Sequence, residues 1–130
     1  MFNKKIIIIF LLIFQTSCVN NLQDLASREP ELKARQTLNG YLALEYLQYS
    51  RDLANKYNWR DSDYFSRKGI KAARNQQIYP EVPEEWDLDN GQIEQATLAR
   101  EKLIKLIYNP KAKATLKPQL AHLHLLYDCW

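Results

Sequence analysis

Long hydrophobic runs are scarce in this 130-residue chain: one stretch of nine, Ile6 to Phe14, is unbroken. A helix of that length covers roughly 14 Å, well short of a bilayer hydrocarbon core about 30 Å thick, which argues against a permanent span. Glycine is scarce too, with three residues, so no glycine-rich loop is available to cradle a phosphate. The two histidines, His122 and His124, lie about 200° apart around a helix and cannot grip one metal as an i, i+4 pair does. The acidic run Glu84, Glu85, Asp87 and Asp89 lacks the alternating order of a calcium loop. No metal and no cofactor are therefore expected. Cysteine is limited to Cys18 and Cys129, and Cys129 sits in an apolar turn with no general base legible nearby. Without a Ser/His/Asp or Cys/His arrangement, no enzyme is expected.

What is present begins at the amino end. Asn3, Lys4 and Lys5 form a short basic leader, the apolar run follows, and Gln15-Thr16-Ser17 brings the chain to Cys18. These are the parts of a secretory signal, in order. Ordinary signal cleavage wants small residues one and three places before the cut, and a cut after Ser17 places Gln15 in the outer slot.

Thr16, Ser17 and Cys18 resemble the cleavage box of a bacterial lipoprotein signal, with Gln15 standing where an aliphatic residue is usual. The resemblance implies a signal peptide over residues 1–17 and Cys18 as the lipidated residue, an N-palmitoyl, S-diacylglycerol cysteine. One fatty chain holds a protein only marginally and two or more hold it stably, at about 0.8 kcal/mol per buried methylene. A lipidated Cys18 cannot enter a disulfide, which leaves Cys129 as a lone thiol expected to be buried as a small apolar residue.

Removing residues 1–17 leaves 113 residues, enough for one domain. Sixteen basic residues then face fifteen acidic ones, a balance with no general pull toward nucleic acid. Residues 18–30 read as a flexible tether and residues 31–130 as an all-α domain, a small bundle of about four helices with one long proline-rich, acidic loop. Leu38, Leu42, Tyr46, Tyr49, Leu53 and Tyr57 recur at helical spacing, within a first helix over 31–57 interrupted by Gly40. A second helix over about 62–74, capped by Asp61 or Ser62, carries Arg67, Lys68, Lys71 and Arg74 on a face read as solvated. In the loop over 75–90, Ile78, Tyr79, Val82 and Trp86 are expected to pin the chain across the helices. Asn90 would cap a third helix over 91–108, with Ile93, Thr97, Leu103, Ile104, Ile107 and Tyr108 inward. After the link KAKATLK, a fourth helix starting at Pro118 would turn Leu120, Leu123, Tyr127 and Trp130 inward.

The blocks WRDSDYF (59–65), PEEW (83–86) and DCW (128–130) give the chain a resemblance to the N-terminal region of Gram-negative lipoproteins of the outer-membrane protein A (OmpA) family. In that family a peptidoglycan-binding domain follows. No counterpart is found in this sequence, so peptidoglycan binding does not carry over. The resemblance implies an envelope lipoprotein, held to the inner or outer membrane through lipid on Cys18, its domain in the periplasm as a structural or interaction module, with an envelope protein as a possible partner. The alternative is a soluble periplasmic protein, released by ordinary cleavage, that binds a small ligand between the acidic loop and the basic helix face.

Overall fold

A computed structural model of the chain describes residues 20–130. Every regular element among them is helical: α1 (Asn21–Ser27), α2 (Glu29–Arg35), α3 (Leu38–Asn55), α4 (Trp59–Ala73), a single 3-10 turn at Pro83–Glu85, α5 (Asn90–Tyr108), α6 (Pro110–Thr115) and α7 (Lys117–Asp128). The all-α expectation holds. The helix count rises from about four to seven, chiefly because two stretches read as connectors are themselves helical.

The first of these is the expected tether. Asn20 accepts a hydrogen bond from the Gln23 amide at 2.8 Å, which caps α1 by satisfying one of its free amides. Asp24 in the first turn pairs with Arg28 at 3.2 Å. Pro30 stands in the first turn of α2, where its missing amide costs nothing. Each short helix sinks one leucine into the core, Leu25 at 0% exposure and Leu32 at 1%. The tether reading is thus corrected from residue 20 onward; Cys18 and the signal over 1–17 lie outside the described residues. The second is KAKATLK, most of which forms α6, with Asn109 accepting at 3.0 Å from the amides of Lys111 and Ala112.

The long first helix expected over 31–57 is divided. Gln36 takes a left-handed conformation (φ 49°), and Thr37 restarts the chain by accepting from the Gly40 amide at 3.0 Å. From there the apolar stripe does what its spacing implies: Leu42, Tyr46 and Leu53 are buried, with Leu38 and Tyr49 packed beside them. Tyr57 falls beyond the end of α3. There its amide bonds to Ala54 O and that of Asn58 to Leu53 O, both at 2.9 Å, a Schellman closure. Asn58, and not Asp61 or Ser62, caps α4.

Helices α3 and α4 form the central hairpin, joined through small residues. Ser62 Oγ donates to Ser50 O across the pair at 2.8 Å. Gly69 supplies a close approach between the helices. A Cβ on Gly69 would run into Leu25 Cδ2 and stand 3.1 Å from Tyr46 Cβ, whereas one on Gly40 meets nothing nearer than Thr37 Oγ1 at 3.1 Å. Both Leu25 and Tyr46 are 0% exposed, so neither has room to yield. Gly69→Ala is expected to destabilise the domain by about 1–3 kcal/mol, the usual cost of overpacking; urea unfolding checks it, and an unchanged midpoint would refute the close approach.

Helix α7 packs on α3, α5 packs on α7 and the 3-10 turn, and α6 sits against α5 and α7. α5 is shallowly seated, burying Ala96 and Leu103, and it is Asp89, in a capping box with Gln92, that starts it in place of Asn90. The inward face of α7 is Leu120, Ala121, His124, Leu125 and Asp128, while Leu123 and Trp130 are exposed. The hydropathy-based face is therefore rotated: two polar residues take the positions assigned to Leu123 and Trp130.

Candidate functional site

The rotation of α7 carries Asp128 to the centre of the molecule's most connected polar cluster. Its side chain is 0% exposed. Oδ2 accepts from the Tyr46 hydroxyl on α3 and from Lys68 Nζ on α4 at 2.6 Å, while Oδ1 accepts from the Glu81 amide in the loop at 2.9 Å. Lys68 also pairs with the Glu81 carboxylate, which accepts from the Tyr64 hydroxyl at 2.8 Å and from the Trp86 indole at 3.3 Å. Two helices, the loop and α7 are thereby clasped at one point.

A buried carboxylate is tolerated only when paired and hydrogen-bonded, and this arrangement meets both conditions. Lys68 is therefore no part of a solvated face: its side chain is 13% exposed. The other three cations behave as expected, with Arg67 paired to Asp63 at 3.2 Å and Lys71 and Arg74 exposed. In the loop the pins are Pro80 and Pro83, both buried, together with Ile78; Tyr79 and Trp86 are exposed. Arg100 on α5 adds a tie by donating to Pro80 O at 3.1 Å.

Electrostatics follow from this packing. Burial, reinforced by the Asp128 carboxylate, holds the Tyr46 hydroxyl protonated far above the usual phenol range. Tyr64 is likewise raised, by burial and by Glu81. His124, one turn before Asp128 with its Nε2 3.5 Å from Oδ2, makes no hydrogen bond from Nε2 among the described residues. Burial lowers its pKa, Lys68 adding to the effect while Asp128 opposes it. In the unfolded chain the same imidazole takes up its proton near pH 6.5, so on acidification the unfolded state binds the proton first and stability falls below that pH. Thermal melts between pH 7.5 and 5 are expected to show a decline that His124→Asn reduces; parallel profiles would refute it. His122, by contrast, is exposed and meets Glu45 at 3.1 Å. The two histidines serve different surroundings.

Beside the clasp lies a cleft of about 190 Å³ whose walls include Phe65, Pro83, Trp86, Tyr127 and Cys129. It is below the roughly 300 Å³ at which drug-sized ligand sites begin. Cys129 is exposed, not buried as expected; partial burial and the neighbouring Asp128 raise its thiol pKa, leaving it a thiol and a weak nucleophile at neutral pH. On the other side of Glu81, a groove of about 570 Å³ runs between the cationic face of α4 and the loop, with Arg67, Lys71, Tyr79 and Glu85 on its walls.

Of the positions singled out by sequence, the structure brings together the loop, Lys68 and the DCW block, and the three blocks WRDSDYF, PEEW and DCW all contribute to the walls of the small cleft. Glu81, Tyr46 and Asp128 as clasp members were missed. For Asp128 the signal was a polar residue at a core-facing helical position, which a hydropathy count discards. No protein family, curated protein or solved structure matches the chain.

Proposed function

We propose that the chain is a bacterial envelope lipoprotein, anchored by lipid on Cys18, whose helical domain is a non-enzymatic structural or interaction module in the periplasm. The observation that carries this reading is the order basic leader, nine apolar residues, Thr16-Ser17-Cys18. It is supported by the domain's own character. Among the described residues no helix is long and apolar enough to cross a membrane. The principal buried ionisable groups are engaged with one another in the clasp, which suits a rigid body more than a reactive centre. The likeness to OmpA-family lipoproteins points the same way, through blocks that here line one cleft.

Metabolic labelling with a radioactive fatty acid tests the proposal. The wild-type chain is expected to take up label and Cys18→Ala to lose nearly all of it; equal label in both refutes it. The second reading, a soluble periplasmic protein that binds a small ligand, is favoured by the groove between the basic face of α4 and the loop. It requires the protein in the soluble extract with an unmodified amino terminus.

A further inference from the structure

The turn between α3 and α4 is an unusual piece of surface. Residues 55 to 61, Asn-Lys-Tyr-Asn-Trp-Arg-Asp, are all exposed. Tyr57 is 82% exposed and Trp59 60%, and the two rings stand edge to face with centroids 6.5 Å apart. Tyr57 also occupies a left-handed backbone position (φ 61°). A helix closure of this kind favours glycine or asparagine, and a bulky residue there is strained. The fold thus tolerates strain to place an aromatic ring in solvent, and strain of this kind clusters at functional positions.

The flanking charges include two cations free of ion pairs. Neither Lys56 nor Arg60 takes part in any ion pair among the described residues. Of the nearby carboxylates, Asp63 binds Arg67 and the side chain of Asn21, while exposed Asp52 and Asp61 keep their charge, held only by the neutral amides of Gln48 at 3.1 Å and Asn58 at 2.7 Å. Exposed tyrosine and tryptophan interleaved with unpaired lysine and arginine is the composition of a membrane–water interface. The rings sit at the level of the headgroups and the cations meet lipid phosphates.

The location of this corner supplies the occupant. Asn21 at the start of α1 donates to Asp63 at 2.7 Å, and Leu25, one turn on, packs at Gly69. The helices α1 and α4 therefore run in the same direction. Their amino ends share one pole of the domain, and Trp59 lies one turn of α4 beyond Asp63 at that pole. Cys18 precedes Asn20 by two residues, which extended chain covers in about 7 Å. With α1 folded onto the body from Asn21, there is no leash to hold the pole away from an anchored sulfur.

We propose that the α3–α4 corner, Lys56 to Arg60, is the face on which the domain rests against the lipid bilayer that holds the acyl chains of Cys18. This rests on the lipoprotein reading and adds an orientation to it. The domain stands with this pole down, and the opposite pole, with the α4–loop junction near Asn75, faces away from the bilayer.

The test uses the full chain purified from bacterial membranes and reconstituted into vesicles of phosphatidylethanolamine with a minor share of phosphatidylglycerol, with and without lipids brominated on their acyl chains. A Trp86→Phe, Trp130→Phe variant leaves Trp59 as the reporter. Its emission is expected to fall at least twofold on brominated lipid and to become several-fold less sensitive to aqueous iodide than in detergent-free buffer. Hydrogen exchange on the unsubstituted chain provides a second readout, in which amides of residues 55–61 slow several-fold on vesicles. Mass spectrometry of the amino-terminal peptide from the same sample separates the two failures. An acylated Cys18 with Trp59 open to iodide and blind to bromine overturns the docking face and leaves the anchor standing. Should Trp59 then become shielded only in native envelope fragments, the corner belongs to a protein partner, which also overturns the proposal. An unmodified amino terminus overturns both readings.

Discussion

Asp128→Ala is expected to cost the domain about 3–5 kcal/mol, the usual penalty for removing one partner of a buried charge pair. Three donors lose their acceptor at once: the Tyr46 hydroxyl, Lys68 Nζ and the Glu81 amide. Lys68 retains the Glu81 carboxylate, which holds the loss toward the lower figure. Tyr46 has no such reserve, being fully buried, and an orphaned hydroxyl there pays its desolvation without return. The change is also expected to be local before it is global. With the Glu81 amide released, the loop keeps Pro80, Pro83, the Arg100 tie and the Tyr127 hydroxyl on Glu81 O at 3.3 Å but loses its carboxylate link to α7, so amides of residues 76–89 should exchange faster under conditions where the α3–α4 hairpin remains protected. Urea unfolding together with hydrogen exchange checks both parts. Unchanged stability would show that the clasp contributes nothing net. Asp128→Asn keeps the shape and one acceptor but turns an amide toward Lys68, and should fall between the wild type and alanine.

Leu25→Ala is expected to cost about 2–5 kcal/mol, the range for deleting a fully buried leucine. The side chain is 0% exposed and lies where Gly69 and Tyr46 leave a space shaped for it. The backbone around it is held by the Asn20 cap and by the Asn21–Asp63 bond, so the site cannot easily collapse and the cavity term should be large. Thermal or urea unfolding of the full chain decides the matter, and a loss below half a kilocalorie would return α1 to the status of a leash. The result bears on orientation as well as stability. A domain whose core begins at Leu25 holds its amino end close, whereas a free tether would let it tumble.

The contrast between these two residues shows what could be read in the sequence and what could not. The period of α3 was legible because its stripe is long and apolar, so that each residue from Leu38 to Leu53 reinforces the others. Helices α1 and α2 have seven residues each and bury one leucine apiece, too little for a periodicity to emerge from a polar background. They are helical because α3 and α4 offer a groove for those leucines. The inner face of α7 was misassigned for a different reason. Hydropathy places Leu123 inside and His124 and Asp128 outside, yet the partner that makes Asp128 tolerable, Lys68, is 60 positions away. Lys68 was assigned to a solvated face by the same logic. Each charge looked exposed because its counterpart was invisible in the local text.

The clasp also has a bearing on timing. Tyr46 and Asp128 are 82 positions apart, with the loop's contribution from Glu81 between them. If, as proposed, the chain is exported amino end first, the α3–α4 hairpin would reach the far side of the membrane while the carboxylate that locks it was still on the near side. Until that carboxylate arrived, Lys68 and Tyr46 would remain hydrated and the pairing of distant segments, the slow part of assembly, would be deferred. The partly threaded polypeptide would stay loose enough to pass, and setting would begin as α7 came through.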